Sequence, residues 1–156
     1  MTSTENSITV TRTIDVPAKD VFALLTLPAR HREFDGSGMV RSSEDTERIT
    51  KVGEQFVMNM HAEDMGGDYR MYNHVTAFDH NKMVGWQPAQ EQNKDQPAGW
   101  EWLYELTPLD SGDTEVSLTY DWSKVTDPKL RQIFPKVTEE DLEQSLNLLA
   151  AAVTAS

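Results

Sequence analysis

Cysteine is absent from the 156-residue chain, which excludes disulfides, thiolate nucleophiles and cysteine-ligated zinc or iron–sulfur centres. Positive charge is scarce: 14 Lys+Arg stand against 26 Asp+Glu, a formal net charge of −12. Such a surface repels a phosphate backbone, so no nucleic-acid partner is expected. No apolar run reaches the roughly 20 residues that a membrane-spanning helix needs, and stable membrane insertion is not expected. Met1 to Ser7 lack the basic start and apolar stretch of a secretory leader, which makes the cytoplasm the expected location. His31, His61, His74 and His80 show neither HxH nor HExxH spacing, and Glu63, Asp64 and Asp68 lack EF-hand spacing. Neither a metal nor a cofactor is therefore expected. With 8 Gly and 7 Pro the chain is neither collagen-like nor low in complexity. What remains is a single domain across 1–156, with 1–6 as a disordered tail.

The apolar residues that are present fall into clear periods. Ile8, Val10, Ile14 and Val16 share one parity of a strand, and Arg12 breaks that row. Pro17 opens a short helix to about 25 and Pro28 a second to about Phe34, closed by the loop Asp35-Gly36-Ser37-Gly38. Strands are expected near 39–47, 56–62, 69–78 and 83–88, with turns at Met65-Gly66-Gly67-Asp68 and Asp79-His80-Asn81-Lys82. Residues 89–98 read as a flexible surface loop. In 69–78, Met71, Asn73, Val75 and Ala77 compete with Tyr72, His74 and Phe78 for the inner face. The clearest pairing comes next. Trp100, Trp102, Tyr104 and Leu106 share one parity and meet Trp122, Tyr120, Leu118 and Val116 across a turn at 108–113. Asp127-Pro128 opens a short helix. Thr138-Glu139-Glu140-Asp141 is a near capping box, and Leu142, Leu146, Leu149 and Val153 form the apolar face of a final helix.

One sheet with a single apolar face and one long amphipathic helix must cover each other. Strands joined by short turns make the sheet antiparallel, with a wet outer face. The quoted elements resemble the START-like helix-grip superfamily, which includes polyketide cyclase/dehydrase-like and pollen-allergen-like proteins. The resemblance rests on Ile14-Asp15-Val16-Pro17-Ala18 with Val21-Phe22, Pro28-Ala29-Arg30 leading to Phe34-Asp35, His74-Val75-Thr76-Ala77-Phe78-Asp79 with Gly85-Trp86, and Tyr104-Glu105-Leu106-Thr107-Pro108 with Gly112 and Glu115-Val116. It implies an α+β helix-grip fold: a curved antiparallel sheet wrapped around a long C-terminal helix, with two short helices after the first strand. It also implies a deep apolar cavity between sheet and helix, and it favours Val75 inward. Members of the superfamily differ widely in activity, so function has to be argued from the site.

The expected cavity wall is Trp86, Trp100, Trp102, Tyr104 and Tyr120 with the adaptable Met58 and Met60, joined by Phe56 and Trp122. A dry void of about 300 Å³ would cost on the order of 7 kcal/mol, comparable to the whole stability of a domain. Such a space holds water or ligand, or the rings collapse into it. Arg12 sits on the inward parity, where it could orient a ligand oxyanion or else pair with a carboxylate at the sheet edge. His31, Glu33 and Asp35 could form an acid–base group at the pocket mouth, but they read more simply as an exposed, charged helix end. The expected function is binding of a small apolar or aromatic ligand, lipid or polyketide-like, between sheet and helix. Two alternatives stand beside it: a polyketide aromatase/cyclase-type enzyme, and an interaction module using the acidic segment 91–115.

Overall fold

The computed structural model describes residues 6–44, 47–63, 66–135 and 137–154, together with the backbone of 2–3. Its strands are β1 (Thr2–Ser3), β2 (Ser7–Ile14), β3 (Val40–Ser43), β4 (Gln55–Ala62), β5 (Gly67–Asp79), β6 (Met83–Gln90), β7 (Glu101–Pro108) and β8 (Thr114–Asp121). Every neighbouring pair is antiparallel, in the order β1-β2-β8-β7-β6-β5-β4-β3. Between β2 and β3 lie α1 (Ala18–Leu25) and a 3-10 helix (Pro28–Phe34). After β8 come α2 (Pro128–Arg131) and α3 (Glu139–Thr154). This is the expected α+β helix-grip fold.

The β7–β8 ladder pairs Leu106 with Val116, Tyr104 with Leu118 and Trp102 with Tyr120, as parity requires. The fourth expected pair lies outside it: the ladder starts at Glu101–Asp121, and the Trp100 ring packs 5.0 Å from Phe134 instead. On β5 the undecided parity resolves to Met71, Asn73 and Val75 inward, all buried. His74 turns outward and bonds the Lys94 carbonyl at 2.7 Å. A register shift between Val75 and Ala77 marks a bulge, the kind of irregularity that bends a sheet.

The final helix is started by the pair read from the sequence. The Asp141 N–H donates to Thr138 Oγ1 and the Thr138 N–H to Asp141 Oδ2, each at 3.1 Å. Leu142, Leu146, Leu149 and Val153 are all buried against the sheet. At 16 residues α3 is about 24 Å long. Its first turns are gripped by the loop after the 3-10 helix: the Gly36 N–H donates to Ser145 Oγ at 2.8 Å. A side chain at Gly36 would strike the Asp141 carbonyl oxygen and come within 2.7 Å of the Ser145 nitrogen.

Three expectations need correction. Residues 89–90 extend β6: Ala89 pairs with Tyr72, on the face opposite Trp86 and Pro88, and is fully buried. Glu91–Asn93 then form a 3-10 turn, so the connection is partly regular. Within the expected tail at 1–6, Thr2–Ser3 pair with Thr9 and Ile8 at the sheet edge. The strand expected over 39–47 is confined to Val40–Ser43, and Asp45 and Thr46 lie outside the described residues. So do Asp64 and Met65 of the expected β4–β5 turn.

Candidate functional site

Between the inner face of the sheet and the 3-10 helix, with α3 behind it, lies a cavity of about 120 Å³. This is below the ligand-sized void of the sequence argument, yet roughly ten times the 10–15 Å³ that one water requires. Part of the expected space has been taken up by ring packing. Trp102 stacks on Tyr120 with centroids 4.4 Å apart and planes 24° from parallel. Ile133 lines the cavity while 43% exposed, which places the mouth beside the segment following α2.

Eight of the nine expected wall residues meet here: Trp86, Trp100, Trp102, Tyr104, Tyr120, Phe56, Met58 and Met60, whereas Trp122 packs on Tyr120 outside the lining. They come from β4, β6, β7 and β8 and from the residue before β7, and one inward parity brings them to the same face. Arg12 does not join them. It is exposed on β2, and its guanidinium donates to Asn147 Oδ1 on α3. Its inward parity is real, but the long side chain runs along the helix to water, because an unpaired charge inside the cavity would be costly.

The residue that sequence reasoning set aside is the one at the centre. His31 is 4% exposed and stacks on Trp86, centroids 4.9 Å apart and planes 22° from parallel. Phe34 and Phe56 complete its box at 5.2 and 5.4 Å. Its Nε2–H donates to the Leu25 carbonyl at 2.7 Å. A carbonyl only accepts, so the neutral ring leaves Nδ1 bare as an acceptor. Burial holds the imidazole well below its ordinary range, down to about 4, with the Leu25 bond opposing only in part. The ring is neutral at physiological pH. The available signal was Pro28: a helix begun there puts His31 and Phe34 three residues apart, on one face of a 3-10 turn.

Tyr104 shares two ring neighbours with His31, lying 6.0 Å from Phe34 and 6.1 Å from Trp86. Burial, helped by the negative charge of Asp35, raises its phenol far above the usual range, so the hydroxyl stays protonated. Asn73 adds a buried amide to the wall. Among the described residues, no fully enclosed side-chain nitrogen or oxygen lacks a partner. His31 Nδ1, the Tyr104 hydroxyl and the Asn73 amide, which have no partner among the described residues, therefore open onto the cavity.

Asp35 is the only formally charged side chain on the described wall, and its oxygens are occupied. Oδ1 accepts from the Ser37 N–H and O–H at 3.0 and 2.6 Å, and Oδ2 from the Val40 N–H at 2.7 Å. Glu33 points away and holds Arg30 in a two-bond pair, both at 2.9 Å. The acidic segment 91–115 likewise spends carboxylates on its own chain. Glu91 accepts from the Arg70 N–H at 2.9 Å, and Glu101 from Thr76 Oγ1 at 2.7 Å. No group of three acidic or histidine side chains among the described residues could hold a metal ion. No described helix is long and apolar enough to cross a membrane.

Several known proteins share this architecture. Protein NE0264 from Nitrosomonas europaea superposes with a TM-score of 0.70 at 17% identity, covering 99% of this chain and 97% of that one. The ZhuI aromatase/cyclase from Streptomyces sp. R1128 gives 0.66 at 16% identity, covering 95% and 93%. In sequence, the uncharacterized protein Rv0088 of Mycobacterium tuberculosis (strain ATCC 25618 / H37Rv) is 35% identical over 115 residues, 72% of this chain and 47% of that protein. The chain thus spans about half the length of the curated relatives it matches. Residues 15–154 match the model of one family along almost the whole fold just described, and the chain belongs to that family, the Activator of Hsp90 ATPase homolog 1-like proteins.

Proposed function

We propose that this protein binds a small, largely apolar or aromatic molecule in the cavity between the sheet and the C-terminal helix. The observation that carries this reading is a donor, an acceptor and an amide, all buried and without partners among the described residues, inside a wall of stacked rings. Polar groups in such a place are ordinarily satisfied. A ligand or water satisfies them here, and the rings set a planar, apolar body as the better occupant. Native mass spectrometry of freshly purified protein tests it. The expected result is a discrete added mass that disappears on denaturation, together with quenching of tryptophan fluorescence by added naphthalene or naphthol. Protein that carries no added mass and shows no response to these probes would refute it.

A catalytic reading of the aromatase/cyclase kind has one observation in its favour: the acceptor of His31 and the acid hydroxyl of Tyr104 face one space. Ring closure of a polyketone needs a base for a carbon acid and a donor for the receiving carbonyl. An imidazole whose pKa lies near 4 is a weak base at neutral pH, however, and favours accepting a hydrogen bond over taking a proton. Binding is therefore the better supported function. Turnover of a polyketone, falling at least tenfold in Tyr104→Phe, would reverse that order.

A further inference from the structure

We infer that the cavity selects neutral aromatic molecules bearing a hydroxyl group and turns away carboxylates and other anions. This rests on reading the cavity as a ligand site. Among the described residues no lysine or arginine reaches the wall. Arg12, the one cation on an inward parity near it, is drawn off to Asn147 at the protein surface. The histidine on the wall is neutral, its Nε2–H spent on Leu25 and its Nδ1 able only to accept. The remaining charge is the Asp35 carboxylate, which is negative. Among the described wall residues a buried anion therefore finds no counter-charge and one like charge, the arrangement that most disfavours the ionised form.

A hydroxyl meets the opposite situation. Its proton has an acceptor at His31 Nδ1, and an oxygen lone pair has a donor in the Tyr104 hydroxyl, held protonated by burial and by Asp35. Both rings pack against Phe34 and Trp86, so an aromatic body lying among those rings carries its substituent toward the two polar groups. Leaving either group unmatched costs binding, and a site built to hydrogen-bond a hydroxyl discriminates against the analogue that lacks it.

Three probes of one shape separate the possibilities: naphthalene, 1-naphthol and 1-naphthoate, titrated against the intact protein at pH 7.5 by tryptophan fluorescence and calorimetry. The expected order is 1-naphthol tightest, naphthalene about tenfold weaker and 1-naphthoate at least a hundredfold weaker. In Tyr104→Phe and in His31→Phe the naphthol-to-naphthalene ratio of affinities should fall toward one. The wild-type order is itself decisive if either variant fails to fold. Naphthoate binding as well as naphthol would overturn the inference while leaving the cavity a ligand site. Equal binding of naphthol and naphthalene would overturn the role of the two polar groups. Failure of all three probes would remove the ligand site itself, and this inference with it.

Discussion

Acidification should weaken this fold through one side chain. An unfolded histidine titrates near its ordinary value of about 6.5, whereas buried His31 holds out to about 4. Between those values the unfolded chain binds a proton that the native chain refuses, so stability rises with pH across that window and is lost as pH falls through it. At pH 7.5 both states are neutral at this site and the effect is near zero. At pH 5.5 the unfolded imidazole is mostly charged and the folded one is not, which works out to a loss of about 1.3 kcal/mol. That figure hardly changes if the folded value lies anywhere below about 5. The choice of pH 5.5 keeps the protein above its isoelectric point of about 4.6. The assay is urea unfolding at both pH values for the wild type and His31→Gln, whose amide can still donate to the Leu25 carbonyl. His61, His74, His80 and the carboxylates are common to both proteins and cancel in the difference. The wild type should lose about 1.3 kcal/mol more than the variant on going to pH 5.5. Equal losses would mean that His31 is protonated within the fold, giving the wall a cation that could pair with an anionic ligand.

Two further outcomes test the frame around the cavity. Gly36→Ala should cost about 2–3 kcal/mol, because the new methyl meets the backbone of α3 at Asp141 and Ser145, where nothing can swing aside. An unchanged denaturation midpoint would contradict that close approach. Thr138→Ala removes the acceptor for the Asp141 N–H and should lower stability by about 1 kcal/mol, with a matching drop in melting temperature.

Much of the frame was legible because it depends on short-range periods. The apolar row Leu142, Leu146, Leu149 and Val153 could bury only as one helix face, and the capping pair Thr138 and Asp141 marked its start. The rows around the 108–113 turn fixed both register and inward face, so four wall residues, Trp100, Trp102, Tyr104 and Tyr120, followed from parity alone. Residues 89–90 carry no apolar run, yet pairing with β5 extends the strand there.

Parity, then, is decided by the chain itself: a two-residue repeat assigns each strand side chain to a face whatever its neighbours do. It told which side of the sheet Arg12, Tyr104 and Trp86 occupy. It could not tell how far along that side each would end, and only the tertiary structure sent Arg12 to Asn147 and water while enclosing Tyr104. His31 shows the difference most plainly. Its neighbours in sequence, Arg30, Arg32 and Glu33, are those of an exposed helix end. Its neighbours in space are Trp86, Phe34 and Phe56, contributed by β6, the 3-10 helix and β4. Burial and the neutrality that comes with it depend on what surrounds a ring from all directions, and that is settled only when distant segments meet.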